Sequence, residues 1–483
     1  MKKYILYMAA ITAVSITACR KIESDGEPFL VPTGGGGGST ARTVTLSGHV
    51  TKDTTLYAAD NNFLSGLVYV DAGVTLTVQQ GATVKGQYSG TTIAALIIKR
   101  GAKLMAVGTQ EAPIVFTSSS PTPVAGDWGG IELLGKASIN SSNGGAPGLY
   151  IPEGGFNTSA GDGLAGSGDA VAPTPVNNDN SGTLQYVRIE YAGYAFLPNQ
   201  EINGLTFACV GSGTTIDHIQ VSYSKDDAFE WFGGTVNCKY LVAYKTQDDD
   251  FDTDNGFSGS VQFGLIVRDS SIADVSKSEA FESDNDGTGS TLLPQTKAVF
   301  SNVSAFGPLA TLNNVGNSNY LGAAAQIRRN SSISIYNSAF IGWGTGILID
   351  AGLGRATDRN IVDSTLRLSG CVIVGCRKSI GYTASTTDVT GQTEAGLTTW
   401  FTSNPRNKVL ATAPEVTFQR PFDYKIPDWQ PTGNSSLLLT TATNDYFNDA
   451  IIAARTFITK VDFIGAFAAS GVNATWHKGW TKF

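Results

Sequence analysis

The chain has 483 residues, 33 basic and 41 acidic, for a formal net charge of −8. Charged residues make up 15% against about 25% in an average soluble protein, 41% are hydrophobic, and 56 are glycine. This excludes a disordered chain, which carries more charge, a basic nucleic-acid binder, and a helical bundle built from Ala, Glu, Lys and Leu; a large β-rich protein remains.

Met1-Lys2-Lys3 precedes an apolar run from Tyr4 to Ala18. A positive start and a short apolar stretch mark an export signal, too short to span a bilayer. Ile16-Thr17-Ala18-Cys19 resembles the lipobox of bacterial lipoproteins. The resemblance implies a signal peptide over 1–18 and lipid attachment at Cys19, with each buried CH₂ contributing about 0.8 kcal/mol of anchoring. The alternative is an ordinary secretory signal cut near Ala18. Removal of Lys2 and Lys3 leaves a mature net charge of −10. Glu23, Asp25 and Glu27 follow, similar to the surface-export signal of Bacteroidetes lipoproteins, and Gly34 to Gly38 form a tether. Residues 19–42 are thus expected to link membrane to body.

From Thr43 onward, alternating apolar runs such as Val74-Thr75-Leu76-Thr77-Val78 lie between Gly, Asn, Asp and Ser, which reads as strands. The runs repeat. Tyr186-Val187-Arg188-Ile189-Glu190-Tyr191 resembles His218 to Tyr223, Lys239 to Tyr244 and Phe263 to Val267. Ser338 to Trp343 aligns with Cys371 to Cys376. One strand-rich turn of variable length, repeated along an axis, predicts an all-β right-handed parallel β-helix with long loop insertions over 43–400. At about 4.8 Å per coil, a dozen to fifteen coils would make a rod of roughly 60–70 Å. A β-sandwich is the alternative, though its antiparallel strands would not repeat at coil spacing.

Gly126-Asp127-Trp128-Gly129-Gly130 looks like the Trp-containing turn of many right-handed β-helices. Residues 140–182 are rich in Gly, Asn, Ser and Pro around Tyr150, Ile151 and Phe156, a loop long enough to fold over one face. Beyond 400, Pro427-Asp428-Trp429 resembles a closing turn, Asp445 to Ile458 reads as a short amphipathic helix, and the tail carries Phe463, Phe467, Trp476, Trp480 and Phe483. An open solenoid end exposes core and strand edges, so 401–483 is expected to be the cap.

Between Asp226 and Asp286 there are fourteen acids and four bases, a net −10 equal to the charge of the whole mature chain. The acids recur with the coils: Asp226, Asp227 and Glu230; then Asp248, Asp249, Asp250, Asp252 and Asp254; then Glu279, Glu282, Asp284 and Asp286. Stacked coils would line them up about 5 Å apart, where like charges repel strongly. Ca²⁺, which takes six to eight oxygens, is the expected counter-charge; Mg²⁺ prefers fewer protein ligands, and solvation or Lys/Arg pairing are the alternatives. Asp250-x-Asp252-x-Asp254-Asn255-Gly256 is not an EF-hand, because its Gly falls one place late and no Glu stands at the twelfth position.

The stretch Gly211 to Gly287, with Asp226-Asp227-Ala228-Phe229-Glu230-Trp231-Phe232-Gly233-Gly234, Asp248-Asp249-Asp250-Phe251-Asp252 and Glu282-Ser283-Asp284-Asn285-Asp286-Gly287, resembles outer-membrane β-helix lipoproteins of Bacteroidetes. The terminal Trp480-Thr481-x-Phe483 fits the same text. The resemblance implies an outer-membrane lipoprotein facing the cell exterior, often beside a TonB-dependent transporter. It brings a fold and a location, not a reaction.

Two functions lead, with a purely structural or adhesive role as the third. The first is a calcium-stabilised binding or accessory module for glycan or nutrient capture, with Phe229, Trp231, Phe232, Tyr244 and Phe251 as a platform unless they are core. The second is a calcium-dependent polysaccharide lyase acting on uronates by β-elimination, with Lys225, Lys245, Arg268 or Lys277 as base unless they only pair with the acids. An open cleft holding a basic residue beside the metal would distinguish them. Cys209, Cys238, Cys371 and Cys376 allow three pairings, and His49, His218 and His477 are scattered, so zinc is not expected. No nucleic-acid partner is expected.

Overall fold

The computed structural model describes residues 41–483 except 90–92, 157–159, 198–199, 276, 309–321, 412–417, 422–426 and 433–445. The expected signal peptide, Cys19 and the Gly34–Gly38 tether lie outside the described residues. Residues Ala41–Phe483 form one compact unit. No helix among the described residues is long and apolar enough to cross a membrane.

Among the described residues, twenty-six strands form one sheet that coils on itself, and its pairings are parallel. The fold is a right-handed parallel β-helix. The strands stack in three columns. The column that matters for the site runs through Ala95–Ile98, Ile131–Leu134, Leu205–Ala208, Phe229–Phe232, Phe251–Asp254, Phe281–Ser283 and Ala323–Ile327. Among the described residues eleven strands share this column, against the dozen to fifteen coils expected, and loops such as 140–182 absorb chain without adding a rung. The stack runs from Thr43 to Leu410.

The repeats seen in the sequence mark one corner of the coil. Tyr186, His218, Tyr240 and Phe263 all have φ between 50° and 63° and drop out of the pairing register. A left-handed residue other than Gly costs about 1–2 kcal/mol. Ring stacking offsets it: Tyr186–His218 and His218–Tyr240 centroids are both 4.3 Å apart, and Tyr240–Phe263 4.9 Å.

Alternation along each strand sends every second side chain inward. Phe207, Phe229, Trp231, Phe251, Phe257, Phe281 and Phe300 fill the interior, with Phe207 and Trp231 stacked at 5.3 Å. Phe229, Trp231 and Phe251 are therefore core rather than a binding platform. Phe232 points outward but is covered by Tyr150 at 4.9 Å, and Tyr244 is covered by Phe483 at 5.1 Å.

The loop 140–182 does fold over a face: Tyr150, Ile151, Phe156 and Ala165 pack on Ile97, Leu134, Ala208 and Phe232. Trp128 is fully buried and its Nε1 donates to the Glu190 carbonyl at 2.9 Å. The interior is closed at its C-terminal end by the helix Glu394–Ser403, whose Leu397 and Phe401 join the core. The tail has a different place. Phe463, Phe467, Trp476 and Trp480 lie along the side of the stack on Val242, Leu265, Phe306, Ile341 and Val374. The tail covers outward apolar rows of five coils, where the reasoning from sequence placed it over the open end. The expected helix from Asp445 to Ile458 is a single turn, Ala450–Ala453, and Asp445 lies outside the described residues. Asp428–Pro431 pairs antiparallel with Phe418–Arg420 outside the main sheet, so Trp429 belongs to the side cover rather than a closing turn.

Candidate metal centre

The acidic residues come together on one outer face because parallel register aligns equivalent positions. Glu132, Thr206, Glu230, Asp252, Glu282 and Gln326 occupy one row, each on the strand next to the last. Their neighbours on both sides point inward, so each carboxylate faces out. The turns entering these strands add a second row. Asn203 Oδ1 accepts the Asp227 N–H at 3.2 Å, Asp227 Oδ1 accepts the Asp249 N–H at 2.8 Å, and Asp249 Oδ1 accepts the Glu279 N–H at 2.5 Å. Each side chain thus fastens the next coil, which fixes the carboxylates in space.

Three groups of oxygens result, each within 4.8 Å of one another: Asp226, Asp227 and Asp248; Asp227, Glu230 and Asp252; and Asp249, Glu279 and Glu282. Carboxylate oxygens bind Ca²⁺ at about 2.3–2.6 Å, so oxygens on opposite sides of one ion are separated by about 5 Å. The spacing fits. The donors are all hard oxygens, which suit Ca²⁺ and not a soft metal. Asp252 Oδ1 and Glu279 Oε1 are buried without a hydrogen-bond partner among the described residues, a state that costs free energy unless something binds there. None of the three histidines belongs to these groups.

Burial pushes the pKa of Asp226, Asp227, Glu230, Asp252 and Glu279 well above the ordinary carboxylate range, and neighbouring acids raise Asp226, Asp227, Glu230 and Asp252 further. Asp248 is pushed up to about 10 and Asp249 to about 6, again first by burial. Burial and mutual repulsion drive a bare cluster of this kind toward its protonated form. A divalent cation would displace the protons.

The remaining predicted ligands have other partners. Asp250 sits 3.2 Å from Arg268, both fully buried. Asp284 accepts from Arg328 Nε at 2.9 Å and Arg329 Nη1 at 2.6 Å. Asp286 builds a turn, accepting from the Thr288 N–H at 2.9 Å and Ser290 Oγ at 2.5 Å, and these bonds hold its pKa low. Asp254 accepts from the Asn255 N–H at 2.6 Å. Glu282 also pairs with Arg328.

The predicted bases differ in setting. Arg268 is sealed inside, donating to Thr246 Oγ1 at 3.1 Å and the Gln247 carbonyl at 3.2 Å as well as meeting Asp250. Lys245 pairs with Asp269 at 2.9 Å. Lys225 and Lys277 are exposed. All four body cysteines are free thiols, and burial raises their pKa values.

Two residues of the site escaped the sequence reading. Glu132 is fully buried with neither carboxylate oxygen hydrogen-bonded, and burial with nearby Glu153 pushes its pKa well up. Alignment of Ile131-Glu132-Leu133-Leu134 with Phe229-Glu230-Trp231-Phe232 would have found it. Arg328 carried no such signal, because it meets Glu282 and Asp284 only through stacking of coils 44 residues apart.

A search of curated proteins and a search of solved structures return no match. The model of the pectate-lyase-like β-helix domain matches residues 48–412, well over half of the sequence. That match, together with the parallel columns of strands, shows that the chain belongs to the pectate-lyase-like β-helix domain family.

Proposed function

We propose that the protein is a calcium-stabilised β-helical binding or accessory module, lipid-anchored at Cys19 on the outer membrane, that captures glycan or nutrient at the cell surface beside a TonB-dependent transporter. The observation that carries the calcium reading is the set of three oxygen groups on successive coils, with Asp252 Oδ1 and Glu279 Oε1 buried and unbonded. Asp226, Asp227, Asp248, Glu230 and Asp252 would hold ions in the first two groups, sharing Asp227; Asp249, Glu279 and Glu282 would hold one in the third. Bound Ca²⁺ supplies positive charge that neutralises the face and can attract an anionic ligand group. The ladder of Asn203, Asp227 and Asp249 orients the carboxylates before any ion arrives.

The family fits a polysaccharide-related role. Binding is favoured over lyase chemistry by the setting of two of the four predicted bases, Arg268 buried against Asp250 and Lys245 paired with Asp269, while Lys225 and Lys277 are exposed. One observation supports the lyase reading. Arg328 stands at the third oxygen group, paired with Glu282 and Asp284, where burial together with Arg329 lowers its pKa and the neighbouring acids oppose that shift.

Calorimetric titration of the mature protein with Ca²⁺ and Mg²⁺ after EDTA treatment tests the first reading. Saturable, Ca²⁺-selective heat is expected, and its absence overturns the calcium assignment. Incubation with polyuronates in Ca²⁺ tests the second, with ultraviolet absorbance of an unsaturated product as the deciding signal.

A further inference from the structure

A cleft of about 400 Å³ opens between coil corners and the tail. Lys297, Ser332 and Ser334 line it from the coils, and Ile451, Ala454 and Arg455 from the tail. Its volume falls in the range of small-ligand sites, about 300–1,000 Å³. Its charge runs against that of the molecule. In a chain with net charge −8, the described lining residues include two cations and no carboxylate.

One of the two cations is built in. Arg455 Nη1 donates to the Ser258 carbonyl at 2.6 Å and Nη2 to the Lys297 carbonyl at 3.0 Å. Both partners are neutral, so the guanidinium is held in place without an ion pair among the described residues. Lys297 is exposed at the rim. Ser332 is 1% exposed, yet its Oγ has no hydrogen-bond partner. A buried unpaired hydroxyl costs about 1–3 kcal/mol unless a ligand or water meets it. Ser334 Oγ accepts the Arg367 N–H at 3.1 Å, which leaves its own hydrogen to donate. Ile451 and Ala454 supply an apolar wall.

One anchored guanidinium, an exposed ammonium at the rim, serine hydroxyls and an apolar wall match a sugar ring that carries an anionic group. The cations meet the anion, the serines meet oxygens, and the wall meets the C–H face. We propose that this cleft binds an acidic saccharide, one bearing carboxylate or sulfate. The inference deepens the glycan-binding reading by naming the ligand class and a place for it. It rests on that reading, but not on calcium.

The test is isothermal titration calorimetry of the whole mature protein, in EDTA and in Ca²⁺. The probes are an oligogalacturonate, a sulfated oligosaccharide and a neutral maltooligosaccharide of equal length. At least one acidic probe is expected to bind in both buffers, at least about tenfold tighter than the neutral one, and the better probe identifies the anionic group. Lys297→Glu should weaken that binding more than tenfold with thermal midpoint and Ca²⁺ response unchanged; Ser332→Ala should weaken it severalfold. Equal binding of the neutral sugar, undiminished binding by Lys297→Glu, or no binding of either acid overturns the proposal. Binding that requires Ca²⁺ and survives Lys297→Glu places the ligand at the acidic face and also overturns it. A protein without any Ca²⁺ response that still binds through Lys297 refutes the calcium reading alone.

Discussion

Asp227→Asn should change stability in opposite directions with and without calcium. Asp227 belongs to two of the three oxygen groups. Its Oδ1 accepts the Asp249 N–H at 2.8 Å, a role an amide oxygen can keep. The substitution therefore spares the coil-to-coil ladder and removes one charge. In EDTA the five carboxyls of the first two groups stand together without a counter-ion, and removing one relieves desolvation and repulsion. The variant should then melt higher than wild type. In Ca²⁺ at 100 times Kd, each ion contributes about 2.7 kcal/mol. For a unit of about 440 residues, an unfolding entropy near 2.1 cal/mol/K per residue converts this to roughly 3 °C per ion. Loss of the shared ligand should remove most of the gain from both ions, so the variant should melt about 3–6 °C below wild type. Differential scanning calorimetry in the two buffers is the assay. A shift of the same sign in both, or a wild-type midpoint indifferent to EDTA, would refute the reasoning.

The apo protein should also gain stability on acidification. Burial raises the folded-state pKa of Asp249 to about 6 and Asp248 to about 10, so the native state binds more protons than the unfolded chain between about pH 4 and those values. Stability in EDTA should fall as pH rises from 5 to 8, and saturating Ca²⁺ should flatten that slope; thermal melts across pH check both. Asp250→Ala leaves Arg268 charged and fully buried, which should cost about 3–5 kcal/mol. A midpoint change under 1 °C would contradict the pairing. Trp480 is fully buried, with ring centroids 5.9 Å from Tyr186 and 5.5 Å from His218, and Arg188 Nη1 donates to its carbonyl at 3.1 Å. Trp480→Ala should destabilise by about 3–5 kcal/mol, measured by chemical denaturation. A cost below 1 kcal/mol would mean that the tail does not hold the side of the stack.

What the sequence determined by itself was the repeating coil. Residue patterns such as Tyr186 to Tyr191 and His218 to Tyr223 are local, and they recur because every coil must turn the same corner and present the same inward row. The acids were legible for the same reason: once the coils stack, equal phase means equal face. The partner of each acid was not legible. Asp250 and Asp252 are two residues apart, yet one turns to Arg268 and the other stands in an open oxygen group. Asp284 meets arginines 44 and 45 residues later. Nor could the sequence place the tail, whose aromatic side chains suit any exposed apolar surface. The structure seats it on Val242, Leu265 and Ile341, while Leu397 and Phe401 close the interior. Strand phase follows from local alternation. Side-chain partners and covering segments depend on which coils, loops and tail meet in space, and only the tertiary structure decides that.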